Sequence, residues 1–124
     1  MKQGLGGRGL KFTVSIKKNH EFRHLYAKGK STVSPYTAIY CKKRRKRENH
    51  LGLTVGVKIG NAVTRNRVRR RLKEIYRTNE SRMLPGYDIV IVARARAAGA
   101  TYRELERDFL FRAKKLGLMT EETP

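Results

Sequence analysis

The stretch Lys58–Arg77, KIGNAVTRNRVRRRLKEIYR, decides how the rest of the chain is read. Within it Val68, Leu72, Ile75 and Tyr76 recur at i, i+4, i+7 and i+8, the apolar stripe of a helix lying on a core. Eight Lys or Arg side chains share the segment with one acid, Glu74. Arg70, Lys73 and Arg77 fall opposite the stripe with Asn66 beside them, Arg67 and Arg71 flank one side, and Arg65 and Arg69 flank the other. A solvated helix face normally mixes signs to gain i,i+4 pairs. This face is nearly all positive, as expected of a surface that meets a polyanion. Arg predominates over Lys, and a guanidinium can bind phosphate through two parallel hydrogen bonds or stack on an exposed base. Either Asn61 or Thr64 can cap the helix, and Asn61 and Asn66 add neutral donors and acceptors. The helix N-terminus favours anions, and Gly60 just before it lets a backbone come close.

Working outward, Leu51, Leu53, Val55 and Val57 alternate with Gly52, Thr54, Gly56 and Lys58, a strand with one buried face. Thr32–Cys41 is β-prone, with Tyr36, Ala38 and Tyr40 on one face and Thr37, Ile39 and Cys41 on the other. These two strands are expected to pair as an antiparallel hairpin across Lys42–His50, read as a charged, structureless turn. Upstream, Asn19 as N-cap, Glu21 in the first turn, Phe22, Leu25 and Tyr26 at helical spacing and Gly29 at the end mark a helix. Phe12–Ile16 alternates as a short edge strand or extended arm. Downstream, Leu84-Pro85-Gly86 is a turn, and Ile89–Ala93 is apolar throughout, as in a strand covered on both faces. Thr101 and Glu104 make a capping box for a helix lined by Tyr102, Leu105, Phe109, Ala113 and Leu116, which Gly117 can end. The order helix, strand, strand, helix, strand, helix is that of one α+β domain. We place a flexible basic leader over 1–11, the domain over 12–118 and an acidic tail over 119–124.

The composition agrees with this. The chain has 124 residues and a formal net charge of +20, from 30 Lys and Arg against 10 Asp and Glu. That is one domain's length, with enough chain for a core without disulfide or metal staples. So one-sided a charge carries self-repulsion and points first to nucleic acid. No apolar run is long enough to span a bilayer, and Met1–Leu10 shows no secretory signal, so the cytoplasm is the expected location. Cys41, the single cysteine, reads as a small buried hydrophobe on a strand.

The basic helix closely resembles the arginine-rich signature of the bacterial ribonuclease P protein family, centred on Arg65-Asn66-Arg67. The match includes Lys58-Ile59-Gly60-Asn61-Ala62-Val63 before it and Val68-Arg69-Arg70 after it, and the resemblance extends from Lys17 to about Leu116. It implies an α-β-β-α-β-α sandwich with a left-handed β-α-β crossover around the basic helix, similar to the second domain of a small-subunit ribosomal protein. It implies the protein subunit of an RNA-containing endonuclease that removes the 5′ leader of precursor tRNA, assisting cleavage and broadening substrate range. The partners are then the catalytic RNA subunit and precursor tRNA, with no membrane, DNA or obligate protein partner expected. Arg65, Asn66, Arg67, Arg69, Arg70, Arg71 and Lys73 become candidates for binding the RNA subunit. Phe22, Tyr26, Ala38, Tyr40, Lys58, Asn61 and Arg65 become candidates for the leader. By periodicity alone Phe22, Tyr26 and Tyr40 are packing residues; the resemblance makes them a cleft for unpaired bases, whose π-faces tolerate sequence variation. Ala38 is smaller than the residue the family often has there.

Catalytic signals are weak. His20 and His24 are four apart without a supporting carboxylate or cysteine, and Glu104/Asp108 and Glu121/Glu122 are the closest acidic pairs. A two-metal nuclease needs carboxylates converging on its ions. We therefore expect no catalytic group and no metal on the protein, with Mg2+ held mainly by the partner RNA as the resemblance implies. The run Lys42–Arg47, KKRRKR, reads as a loop adding non-specific phosphate attraction. A ribosomal or chaperone-like RNA-binding protein fits the charge equally well; a protein-only nuclease and a cationic membrane-surface peptide fit less well.

Overall fold

The structure, a computed structural model, describes residues 13–16, 18–44 and 47–120. Strand β1 (Thr13–Ser15) leads into helix α1 (Asn19–Lys28), then β2 (Lys30–Val33), β3 (Thr37–Lys43) and β4 (Asn49–Thr54). Helix α2 (Ala62–Asn79), β5 (Tyr87–Ala93) and helix α3 (Tyr102–Lys115) complete the chain, with short 3-10 turns at Val57–Ile59, Glu80–Arg82 and Ala95–Gly99. The sheet order is β1-β4-β5-β3-β2. β5 runs parallel to β4 and antiparallel to β3, β1 is parallel to β4, and β2 is antiparallel to β3. Helix α2 thus links two adjacent parallel strands.

Strand alternation divides the sheet between two apolar layers. Ile39, Cys41, Leu51, Ile89 and Ile91 pack with Val68, Leu72, Ile75 and Tyr76 of α2 and with Leu105, Phe109 and Ala113 of α3. On the other face Val90 packs with Ile16 and Leu25, and Phe22, Tyr40 and Val92 lie against them half-buried. β5 is covered on both faces, which explains its unbroken apolar run. α2 is capped by Asn61, whose Oδ1 accepts from the Thr64 N–H at 2.9 Å. The Thr101–Glu104 capping box forms at α3, and Gly117 beyond it takes φ +79°, the left-handed turn that ends the helix. A buried polar network ties the edge strand down: Thr13 donates to Glu80 Oε2 and meets the Tyr76 hydroxyl at 2.9 Å. Asn49 donates to Tyr76 and Leu84 O and accepts from the Tyr87 N–H.

Several expectations are corrected. Thr32–Cys41 is not one strand, because the Ser34 hydroxyl accepts from the N–H groups of Tyr36 and Thr37 and turns the chain between β2 and β3. Tyr36 therefore leaves the Ala38/Tyr40 face and packs on the opposite layer. β3 and β4 do not form a hairpin; β5 lies between them, pairing with both. Lys42–His50 is not structureless, since Lys42 and Lys43 extend β3 and Asn49 and His50 open β4. β4 stops at Thr54, and Val57, 75% exposed, sits in a 3-10 turn and not on a buried strand face. Lys18, not Asn19, is the N-cap of α1. Met119 is buried and bridges Met83. The leader over 1–11 and residues 121–124 of the tail lie outside the described residues.

Gly52 marks a close approach of helix to sheet: a Cβ there would lie 2.7 Å from Cε1 of Phe22 and 3.3 Å from Cβ of Ile16. Gly52→Val should therefore lift α1 and destabilise the fold by about 1–3 kcal/mol, the usual range for overpacking. Urea denaturation checks this; an unchanged midpoint would mean that α1 does not seat on β4.

Candidate RNA interface

The C-terminal ends of β4 and β5 define one end of the sheet; Lys58, Asn61 and Arg65 gather there, Phe22 and Tyr40 lie nearer the middle of the sheet, and Arg69, Arg70 and Lys73 follow along α2. Helix α1 lies on the sheet with Phe22 over Gly52 and Tyr26 reaching both Tyr40 of β3 and Thr54 at the end of β4. The Phe22 and Tyr26 rings are 6.5 Å apart, and Tyr26 meets Tyr40 edge-on at 4.9 Å. Tyr26 is 42% exposed and its hydroxyl lies 3.4 Å from Thr54 Oγ1, whereas Phe22 and Tyr40 are half-buried. Tyr26 thus presents the most open ring of the three, and Phe22 also serves packing. Ala38 is buried, in register with Val33 on one side and Val92 on the other, so it offers little surface.

Beyond Thr54 the chain runs directly into the 3-10 turn that carries Lys58, which is exposed. Gly60 follows with φ +153°; a Cβ there would come 3.0 Å from the Thr64 side chain, so a residue other than Gly would be strained in conformation and space. The Arg65 Nε donates to Gly60 O at 3.1 Å, pinning the side chain beside the helix start. Asn61, its side chain engaged as the cap, is exposed at the same end.

The arginines of α2 are not equivalent. Arg67 donates to Ala98 O at 2.9 Å and Arg71 to Ala100 O at 2.8 Å, so both hold the segment between β5 and α3 against the helix. Arg69 donates to Asn66 Oδ1 at 3.1 Å, and Arg77 pairs with Glu74 through two hydrogen bonds. The side chains of Arg70 and Lys73 make no hydrogen bond or ion pair among the described residues. The sequence alone could not sort these roles, because the carbonyls of Ala98 and Ala100 lie far along the chain. Arg94 is a further member of this end that the sequence does not signal. Its N–H donates to Tyr36 O and its guanidinium to Ser34 O, tying the β2–β3 turn to this end, and no local pattern marks that role.

Asp108 accepts from the Ser34 and Thr37 hydroxyls at the β2–β3 turn, and other acids are engaged away from it. At the opposite end of the sheet Arg44 lies 3.2 Å from Asp88, and His50 stands 3.1 Å from Glu48 and 3.5 Å from Asp88. Burial pushes the Asp88 carboxyl above its ordinary range, against the pull of Arg44 and His50. Among the described residues no three His, Cys, Asp or Glu side chains are grouped to hold a metal, and no helix is long and apolar enough to cross a membrane.

A mixed five-stranded sheet with an arginine-rich helix and an open aromatic face at one end defines a small RNA-binding domain. Comparison with known proteins is specific. The family model for Ribonuclease P matches residues 10–117. The ribonuclease P protein component of Natranaerobius thermophilus is 40% identical over 106 residues, covering 86% of this chain and 92% of that protein. That of Clostridioides difficile is 42% identical over 96 residues, covering 77% and 84%. The solved RNase P protein of Staphylococcus aureus aligns with TM-score 0.79 and 29% identity over 86% of this chain and 97% of that one. The Thermotoga maritima RNase P protein aligns with TM-score 0.72 and 25% identity over 78% and 92%. The chain belongs to the ribonuclease P protein family. Membership favours a tRNA-processing, RNA-binding subunit over the ribosomal or chaperone-like alternative.

The division among the arginines is testable by stability alone. Arg71→Met strands the carbonyl of buried Ala100 and should cost about 1–3 kcal/mol. Arg70→Gln on the open face should stay within about 0.5 kcal/mol of the parent. Equal denaturation midpoints for the two variants would contradict this division.

Proposed function

We propose that this chain acts within ribonuclease P by holding the single-stranded 5′ leader of precursor tRNA on its aromatic face while α2 docks on the catalytic RNA subunit. The observation that carries the reading is the Tyr26–Tyr40 ring pair, open at the sheet end where Thr54 leads into Lys58, Asn61 and Arg65. Bases of the leader stack on Tyr26 and on the accessible parts of Phe22 and Tyr40, a mode indifferent to base identity. Lys58 and Asn61, with Arg65 behind them, meet the backbone as it crosses the helix start, where the dipole also favours phosphate. Ala38 forms the floor under this path.

The RNA subunit meets the other side of α2. Arg69, Arg70 and Lys73 contribute charge with Asn66 beside them, and Arg67 and Arg71 present whatever donors their carbonyl bonds leave over. Cationic contacts on two sides of one helix let two polyanions approach with less mutual repulsion. The catalytic groups lie on the RNA. Among the described residues no carboxylates are grouped to hold Mg2+, which takes clustered carboxylate oxygens and water, and Glu48 and Asp88 are engaged by His50 and Arg44. The ion belongs with the RNA subunit, and the assembly works in the cytoplasm.

Two measurements on the reconstituted holoenzyme test these contacts. Tyr26→Ala should weaken precursor tRNA binding by about 1–3 kcal/mol, roughly tenfold or more, and leave mature tRNA binding nearly unchanged. Equal weakening for both RNAs, or an early melt of the variant, would return Tyr26 to a packing role. Replacing Arg70 and Lys73 by Gln should weaken RNA-subunit binding and flatten its salt dependence by about one unit for each cation that meets a phosphate. A folded double variant with the parent's slope would place the docking surface elsewhere.

A further inference from the structure

The end of the sheet away from the arginine-rich helix start carries a second cationic site. A cavity of about 350 Å³ opens between the start of β2, the end of β3 and the C-terminus of α3, lined by Lys28, Lys30, Cys41, Lys42, Lys43, Tyr87 and Leu116. Lys28 comes from the last turn of α1, Lys30 from β2, and Lys42 and Lys43 from β3. Register brings them together: Lys30 pairs with Cys41, and Lys43 pairs with Tyr87. The Lys43 Nζ stands 5.5 Å from the centre of the Tyr87 ring. Cys41 and Leu116 are buried and Tyr87 is half-buried, so the floor is apolar while the four lysines are exposed around it.

Four ammonium groups around one concavity repel one another. None of the four is in an ion pair with a carboxylate among the described residues. Glu48 and Asp88, at this end of the sheet, are engaged by His50 and Arg44. Compensation of a helix C-terminus accounts for Lys28 alone. The basic run is therefore divided: Arg44 is consumed internally, and Lys42 and Lys43 line the cavity.

We infer that this cavity binds a nucleoside phosphate, with the phosphates among Lys28, Lys30, Lys42 and Lys43 and the base or sugar on the Cys41–Leu116–Tyr87 floor. The volume is that of a small-ligand site. Lysines bind phosphate as point charges from varied directions, which suits several ammonium groups converging without a guanidinium fork. An aromatic edge beside an apolar floor suits a base, where an inorganic anion would use the charge alone. The nucleotide is either one residue of an RNA strand or a free nucleotide. The site does not rest on the assignment of α2 to the RNA subunit.

The test uses the full-length chain and a Lys30→Gln/Lys43→Gln variant; both positions are exposed, and neither belongs to the leader or α2 surfaces. Adenosine triphosphate is titrated while backbone amide signals are followed by NMR, and RNA-subunit affinity is measured against salt. If the occupant is a free nucleotide, the triphosphate shifts the amides of Lys30, Cys41, Lys43 and Tyr87 before those of Arg69 and Arg70. The variant then weakens that binding several-fold and keeps the parent's salt slope for RNA. If the occupant is a residue of the RNA subunit, the variant flattens that slope by about one unit per lysine contact, whether or not the free nucleotide binds. The proposal is overturned if the triphosphate shifts α2 first or all basic surfaces alike and the RNA slope is unchanged in the variant.

Discussion

The seating of Val68, Leu72, Ile75 and Tyr76 on β4 and β5 is the interaction on which the remainder depends, because it fixes the rotation of α2 about its axis. All four are essentially closed to solvent. Burial of a large aliphatic side chain contributes about 1.5–3 kcal/mol, while a like-charge neighbour on a helix surface costs a few tenths. The stripe therefore outweighs the repulsion among the arginines around it, and the helix can carry a cationic surface without unfolding. Its rotation then decides which guanidinium faces what. Arg67 and Arg71 meet the carbonyls at Ala98 and Ala100, Arg70 is left to solvent, and Lys73 is half-buried without a side-chain partner among the described residues.

The same seating sorts the molecule into two ends. β4 enters α2 through the Val57–Ile59 turn, and β5 leaves through Ala95–Gly99, so both connections and the β2–β3 turn share one end. Arg94 joins the β2–β3 turn to the end of β5 by two bonds, to Tyr36 and Ser34. The aromatic face of α1 opens toward that end, through Tyr26 and Thr54. The far end holds the return of α2, the close of α3 and the lysines of β2 and β3. Among the described residues, cations thus gather both along α2 and around the far cavity.

Much of this was legible in the residues. The stripe of α2, the capping box of α3, the two-sided burial of β5 and the inward Cys41 each follow from short-range spacing, and each is observed. The strand order was not legible. Thr32–Cys41 and Leu51–Val57 are consecutive in sequence and pattern as partners, but β5 is more apolar than either and gains most by lying between them. The break at Ser34-Pro35 was hidden inside a β-prone run, where a hydroxyl and not a glycine makes the turn. Likewise the signature around Arg65-Asn66-Arg67 identified the helix, yet the structural work of Arg67 and Arg71 depends on a segment that only tertiary packing brings near. The lysines of the distal cavity come from α1, β2 and β3, and no single stretch of regular pattern contains them all.

We propose that the protein supplies contact and charge and that its RNA partner supplies the chemistry. The most direct test is release of the 5′ leader from a precursor tRNA by protein alone, by the RNA subunit alone, and by both, across a series of Mg2+ concentrations. The expected result is no cleavage by the protein alone at any concentration, and cleavage by the pair at Mg2+ levels where the RNA alone is slow. Leader release by the purified protein, or a Mg2+ requirement of the RNA that the protein leaves unchanged, would contradict it.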